Sequence, residues 1–453
     1  MSGANDKLGR LITEAGCSWA GLARRVNAFG AREGLALRYD YTAVHRWVRL
    51  GQVPKHPVPR LIAAALTEQL GHSVSPADLG MVDEESLAAR ALRYPSRAND
   101  SLATVAELGQ ADVARRRVIQ APFVLSALAL SSRDWLLATL DGQSSDAGPR
   151  RIGMEQVAGI RDMFALFQEM DVMRGGGHAR VALVEYMNSY VMPLVRRDHG
   201  PQVQTALYEA AAEQAYLVGW MAYDDGEHGL AQRYLIQALR LSQAAGNAVL
   251  GAHVLAGMSD QANLLGHAAE AVALARSGRR GISASDSPAC YADLLVLESR
   301  ALASLGERAQ ARTAVRGFEE VYAQVVPDNE PEWARFIDRA YVYGEMAYTM
   351  RDLGELDELD RFATESVTAA GQQNRARRGA LSQAVLASGR LQRGDAEAAA
   401  AKASEVVRMT ATVSSSRCVE AVRDLGRRLG PYRDLGEVQA FEQRARHMLG
   451  LAA

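Results

Sequence analysis

"YDDGEHGLAQRYLIQAL" (residues 223–239) places a glycine between two runs of residues that favour helix. The same pattern returns four times, and the five glycines are spaced 40, 40, 48 and 40 residues apart. They are Gly226, Gly266, Gly306, Gly354 and Gly394. The residues five positions further on are Ala231, Ala271, Ala311, Leu359 and Ala399. We expect each glycine to end one helix in a tight turn and each following residue to let a second helix pack closely. Stacked pairs of this kind predict an α-solenoid.

The pattern resembles the tetratricopeptide repeat. In the first copy the match extends to Gly219, Ala222, Leu235 and Ala238. Later copies place polar residues where the repeat expects apolar ones, namely Glu298, Gln383 and Arg390. The period also exceeds the usual ~34 residues, so we expect helices longer than the standard ones.

A different pattern occupies "RYDYTAVHRWVRLGQVPK" (residues 38–55) near the start of the chain. Asp40 is a suitable N-cap, and Val44, Trp47 and Val48 form an inward face of the helix that follows. Helix-turn-helix proteins insert such a helix into the major groove. The predicted DNA-binding residues are Arg38, Tyr41, Thr42, His45, Arg46, Arg49, Lys55 and Arg60. Fifteen residues (27–41) stand where a simple motif has a turn of about 3–4 residues, so the preceding helix is extended or the turn carries an insertion.

The charge distribution favours DNA over the alternative of a solvated helix face. Residues 1–70 carry ten Lys and Arg against five Asp and Glu, whereas the whole chain has a net charge of −2. A basic head on an acidic body is typical of nucleic-acid binding. Lysine occurs only three times, which indicates an arginine-rich composition overall and weakens any argument from arginine count alone.

Three blocks carry a resemblance to a known family. They are "GLARRVN…RYDYTAVHRWVRLG…VPRLIAAAL…SPADLG" (21–80), "GGGHARVALVEYMNSYVMPLVR" (175–196) and "LVGWMAYDDGEHGLAQRYLIQALRLSQAAGN" (217–247). Together they resemble actinomycete regulators of the Streptomyces type, which join a Cro/repressor-like helix-turn-helix to C-terminal tetratricopeptide repeats. The resemblance implies transcription control, commonly of sporulation or antibiotic production, by a homodimer.

The predicted organisation is all-α. Residues 1–80 form a helix-turn-helix domain, residues 81–150 a helical connector with "DGQSSDAGPR" (141–150) as its linker, and residues 151–453 a tetratricopeptide-like domain. In such repeats the first helix of each pair lines a concave groove, which suits capture of a peptide, a small molecule or a protein. The predicted groove residues are Tyr216, Trp220, Tyr223, His253, Asp260, Asn263, Arg300, Tyr348 and Arg351. The alternative is that these faces pack on each other or form a dimer seam.

The sequence gives less support to other classes of protein. Cys17, Cys290 and Cys418 are too few and too scattered for a disulfide framework. The N-terminus lacks a signal core and the most apolar run, residues 121–130, is too short to span a bilayer, so we expect a cytoplasmic protein with no membrane partner. No motif predicts an enzyme, a metal site or a cofactor. "RGGGHAR" (174–180) is either a weak anion cradle or a turn between helices.

The resulting hypothesis is a DNA-binding regulator without catalysis. The alternative is a repeat-containing adaptor whose helical head binds protein instead of DNA.

Overall fold

The computed structural model describes residues 5–32, 35–55, 57–71, 74, 76, 78–81, 84–113, 122–140, 154–175, 179–197 and 199–451. In these ranges all regular secondary structure is helical, which confirms the all-α class. The first ten helices are α1 (Asp6–Glu14), α2 (Trp19–Arg32), α3 (Tyr41–Arg49), α4 (Val58–Leu70), α5 (Glu84–Arg90), α6 (Ala98–Val113), α7 (Leu125–Leu140), α8 (Met154–Arg174), α9 (Arg180–Tyr186) and α10 (Met192–Val195). The others are α11 (Pro201–Asp224), α12 (His228–Ala244), α13 (Ala248–Leu264), α14 (Ala268–Gly281), α15 (Pro288–Ser304), α16 (Arg308–Tyr322), α17 (Arg339–Leu353), α18 (Leu356–Gln372), α19 (Ala376–Gln392), α20 (Ala396–Thr410), α21 (Ser416–Leu429) and α22 (Gly436–Leu449).

The chain divides into two compact units whose borders differ from the predicted ones. The first comprises Met1–Ala91 and Leu102–Ala121, and the second comprises Leu92–Ser101 and Pro122–Ala453. Helix α7 falls in the predicted connector, yet it packs against α12, α13 and α14. Trp135 of α7 is fully buried there, close to two glycines, and a Cβ at Gly251 would lie 2.2 Å from its Nε1. The predicted linker 141–150 lies outside the described residues.

Helices α1 to α4 of the first unit, which we call the head, share one apolar core. The amphipathic spacing of each helix supplies this core, because residues three and four apart lie on the same helix face. The largest fully buried side chains in it include Leu8, Leu22, Leu61, Ile62 and Leu66. Gly71 ends α4 with a φ of 70°, a conformation that glycine adopts without strain.

Five helical hairpins form most of the second unit, which we call the repeat domain. They pair α11 with α12, α13 with α14, α15 with α16, α17 with α18, and α19 with α20. The predicted glycines occupy the five turns, with φ between 71° and 83°, and the residues five positions on are fully buried. The predicted hairpins are thus confirmed, and their stack resembles a solenoid.

An inserted segment explains the one spacing of 48 residues. Residues 323–338 connect α16 to α17 and contain two short 3₁₀ turns, Pro327–Asn329 and Glu332–Ala334. Trp333 is only 5 % exposed, because the segment folds inward against the first helices of the neighbouring hairpins. The extra length therefore serves packing inside the repeat domain.

The first and last parts of the repeat domain contact each other. Helix α8 contacts both α11 and α19. The hydroxyl of Ser415 donates to Asp224 at 2.9 Å, and that of Ser416 donates to the carbonyl of Asp225 at 2.7 Å. These contacts join residues 191 positions apart, so the stack curves until its ends meet around an interior space.

None of the helices in the described part of the chain has the length and apolar character needed to cross a bilayer.

Candidate functional site

Helix α3 presents one buried face and one exposed face, as its sequence predicts. The carboxylate of Asp40 accepts a hydrogen bond from the backbone N–H of Ala43 at 3.0 Å, which confirms the N-cap. Val44, Trp47 and Val48 are buried in the head core. Thr42, Arg46 and Arg49 are exposed on the other side, and His45 is half-buried beside them. A side chain at any of these outward positions can reach a ligand laid along α3.

The segment before α3 is held in place by Asn27 of α2. Its Nδ2 donates to the carbonyl of Tyr39 and its Oδ1 accepts from the N–H of Tyr39, both at 2.9 Å. Leu37 of the same segment lies against Gly30, where a Cβ would come within 2.5 Å of its Cδ1. Helix α2 is therefore extended to Arg32, and residues 35–40 return along it. This arrangement accounts for the long separation between the two helices.

Most of the basic residues around α3 form no ion pair with a described acidic residue. Arg38, Arg46, Arg49 and Lys55 are exposed, and none forms an ion pair with another described residue of the head. Arg60 is also exposed but does have an interaction partner. Unpaired guanidinium groups keep all their donors available for an anion.

Trp19 of α2 packs partly against the head core and also reaches this surface. It is half-buried, and its ring centroid lies 5.2 Å from that of Tyr41 and 5.6 Å from that of His45. Tyr41 itself is 55 % exposed. The first turns of α2 and α3 thus present a joint aromatic edge. Its sequence signal is a tryptophan in the first turn of α2, directly after the capping Ser18.

The predicted groove residues line an interior rather than an open surface. Tyr216, Trp220, Tyr223, His253 and Asp260 are all at most 8 % exposed. The inserted segment covers part of this interior, since the ring of His253 lies 5.0 Å from that of Trp333 and 5.6 Å from that of Phe336. Burial lowers the pKa of His253 to about 3, so this histidine is neutral at physiological pH.

A chain of buried ion pairs joins the hairpins across this interior. Arg377 donates to both carboxylate oxygens of Asp171, at 3.1 and 2.9 Å, and to Asp224 at 3.0 Å. Arg417 donates to the other oxygen of Asp224 at 2.8 Å. Burial alone would raise the pKa of Asp224, but these two guanidinium groups outweigh that effect and lower it to about 2. Asp224 therefore remains ionised and paired.

The ion pairs continue through Asp260 and Glu345. Arg300 donates to Asp260 at 2.7 Å and also to Glu345. Arg378 donates to the other oxygen of Glu345 at 2.9 Å. Burial opposes ionisation of Glu345, but Arg300 and Arg378 lower its pKa below the usual value. Each of these carboxylates accepts from arginines of at least one other helix, so the network ties the curved stack together.

A cavity of about 660 Å³ lies beside this network, near the turn glycines. Of the predicted groove residues it is lined by Tyr223, Asn263, Arg300, Tyr348 and Arg351. Tyr216 and Trp220 line a second, smaller space on the other side of Arg417. The structure thus divides the predicted groove between two compartments.

The glycine-rich stretch 174–180 cannot be assessed as an anion cradle, because Gly176, Gly177 and His178 lie outside the described residues. Its last residue, Arg180, pairs with Asp225 at 3.2 Å.

Comparison with known proteins identifies one family. The family model described as "SP15 N-terminal domain" matches residues 8–82, from the third residue of α1 to beyond α4. This match lies within the first unit. No curated protein matches the chain.

Proposed function

We propose that the protein is a DNA-binding transcriptional regulator whose head is a Cro/repressor-like helix-turn-helix domain. The observation that carries the proposal is the outward face of α3, where exposed arginines follow the N-cap Asp40 and have no acidic partner among the described residues. A capped short helix of this kind fits the major groove with its N-terminal end foremost.

Each residue of the face has a role in this proposal. Arg46 and Arg49 present planar guanidinium groups that suit the O6 and N7 acceptors of guanine. Thr42, in the first turn of α3, contacts a base edge or a phosphate. Arg38 and Lys55 flank the helix and neutralise phosphates, which fixes its register on the duplex. Tyr41 and Trp19 add apolar contact surface at the same edge.

The repeat domain, which we take to be tetratricopeptide-like, has a supporting role in this proposal. It supplies a homodimer interface, an effector site, or both. A dimer would set two copies of α3 against two half-sites, and the spacing of those half-sites would follow from the distance between the heads. Control of development or antibiotic production is the biological context that the sequence resemblance implies.

The test is a selection of fragmented genomic DNA from an actinomycete by the full-length chain. Wild type, Arg46→Ala and Arg423→Ala are run in parallel, and the last is the control because Arg423 is an exposed arginine of the repeat domain. We expect wild type and Arg423→Ala to enrich one repeated or palindromic motif that Arg46→Ala does not enrich. Failure of all three proteins to enrich any sequence would contradict the proposal.

One observation favours the adaptor alternative. Leu166, Met170 and Met173 lie at i, i+4 and i+7 on α8, and each is 38–55 % exposed. Such an apolar stripe is a common feature of protein-binding surfaces. Under this alternative the chain would retain a protein partner at high salt, Leu166→Glu would release that partner, and no DNA would be bound.

A further inference from the structure

We propose that the 660 Å³ cavity of the repeat domain binds a small molecule that carries a carboxylate or phosphate group on an apolar body. Its volume lies within the range of about 300–1,000 Å³ that is typical of small-molecule sites. The proposal concerns the repeat domain alone and does not depend on the head binding DNA.

The part of the cavity lining around Arg300 and Glu345, which we call the floor, has more free hydrogen-bond donors than free acceptors. Both oxygens of Glu345 already accept from arginines, and both oxygens of Asp260 accept, from Arg300 and from the hydroxyl of Tyr223 at 3.1 Å. Arg300, in contrast, uses only Nη1 for these bonds. Its Nε and Nη2 make no hydrogen bond to another described residue. A ligand that brings a hydrogen-bond acceptor would therefore satisfy these donors.

Arg351 and Tyr348 add further hydrogen-bond donors that have no acceptor among the described residues. Arg351 donates through Nε to Asp352 at 2.7 Å, and its two terminal nitrogens bond to no other described residue. The hydroxyl of Tyr348 also has no hydrogen-bond partner among the described residues. Arg300 and Arg351 lie 4.4 and 5.0 Å from the centroid of the Tyr348 ring, so this ring holds both guanidinium groups in fixed positions. Converging donors of this kind recognise an oxyanion.

Apolar side chains form another part of the cavity lining. Helices α19 and α21 supply Leu381, Val385, Ala421 and Leu425, which lie beside charged residues of α21 such as Glu420, Asp424 and Arg427. A ligand that places its oxyanion on the donor floor can bury an alkyl or aromatic part against these apolar side chains. Donors in one part of the lining and apolar side chains in another set the chemical class of the ligand.

The closed ends of the repeat domain exclude an extended peptide from this site. Trp333 and Phe336 cover the aromatic part of the predicted groove, and Arg417 separates it from the cavity. A chain of many residues would need both compartments open to each other. The cavity therefore suits one compact molecule.

The test is isothermal titration of the full-length protein with octanoate, octyl phosphate and octanamide, together with melting temperatures at each ligand concentration. We expect saturable binding of one ligand per chain for octanoate or octyl phosphate, and a rise in melting temperature that follows it. Comparison of octanoate with octyl phosphate then shows whether the preferred oxyanion is a carboxylate or a phosphate. Octanamide has the same alkyl chain but no charge, so it should not bind.

Three variants locate the site. Arg351→Gln and Tyr348→Phe should each weaken binding, Arg351→Gln by about tenfold or more, because a charge-assisted hydrogen bond is lost. Arg280→Gln removes an exposed arginine that lines a different basic surface, and it should bind as wild type does. The proposal is overturned if neither oxyanion binds saturably, or if Arg351→Gln and Tyr348→Phe both bind as tightly as Arg280→Gln.

Discussion

Arginines of the head and arginines of the repeat interior have opposite environments. Arg46 and Arg49 project from α3 into solvent and form no ion pair within the part of the chain that the structure describes. The side chain of Arg377 is only 9 % exposed, and two carboxylates from other helices surround it. The comparison teaches that the same residue type is available for a ligand in one unit and stabilises the fold in the other. Neighbouring carboxylates, and not the arginines themselves, decide which role applies.

The largest expected effect is on the repeat interior. Arg377→Leu leaves Asp171 and Asp224 buried without their shared partner, and breaking a buried pair in this way costs about 3–5 kcal/mol. Urea unfolding followed by circular dichroism should show this loss in the repeat domain. Arg423→Ala, which breaks an exposed pair with Glu420, should change the free energy of unfolding by less than about 1 kcal/mol. Equal effects of the two variants would invalidate the distinction between the arginine environments.

A second prediction concerns a buried carboxyl for which the effect of burial outweighs that of the nearby Arg378. Burial raises the pKa of Asp293 to about 8. The folded chain then holds a proton that the unfolded chain releases above about pH 4, so this residue makes the fold less stable as the pH rises from 4 to 8. Asp293→Asn removes the dependence and should stabilise the protein by about 4 kcal/mol at pH 7, with little change at pH 4. The measurement is urea unfolding at both values, and a gain that does not grow with pH would contradict the assignment.

A third prediction sharpens the account of the head. Asn27→Ala removes both hydrogen bonds to the backbone of Tyr39 and should lower the stability of the head by about 1–2 kcal/mol. Because the segment before α3 is then released, DNA affinity should fall even though Asn27 is not among the proposed contact residues. Thr13→Ala is the control, since the hydroxyl of the exposed Thr13 donates to the carbonyl of Gly9 in its own helix. Unchanged melting and unchanged affinity in Asn27→Ala would show that the segment does not depend on this contact.

The smallest expected effects come from substituting two glycines, one in a turn with a positive φ and one inside a helix. Gly226 occupies a turn with a φ of 81°, where an alanine is strained by about 1–2 kcal/mol. Gly159 lies within α8 with no atom near its missing Cβ, so Gly159→Ala should stabilise the protein by up to about 1 kcal/mol. Thermal melting of both variants should therefore shift in opposite directions. A shift in the same direction would refute the role assigned to the turn glycines.

Local features of the fold could be predicted from the sequence because they depend on nearby residues. The capping contact of Asp40 spans three positions, and the buried face of α3 follows from helical spacing. The turn at Gly226 follows from the need for a positive φ between two helices.

Long-range features could not be predicted in this way. Arg377 meets Asp171 across 206 residues, and nothing in either local sequence indicates that pairing. The covering of His253 by Trp333 depends on where the inserted segment folds. Five of the predicted groove residues line one cavity, but the burial of the others depends on the contact between the two ends of the repeat domain.

The most direct test of the central claim is the equilibrium affinity of the full-length protein for the recovered motif and for a shuffled duplex, measured over a range of salt concentrations. We predict that Arg46→Ala loses about 1–3 kcal/mol on the motif and much less on the shuffled duplex, while Arg423→Ala matches wild type on both. We also predict that affinity falls steeply with salt for wild type. Equal affinity of wild type and Arg46→Ala for the motif would contradict the claim that α3 reads DNA.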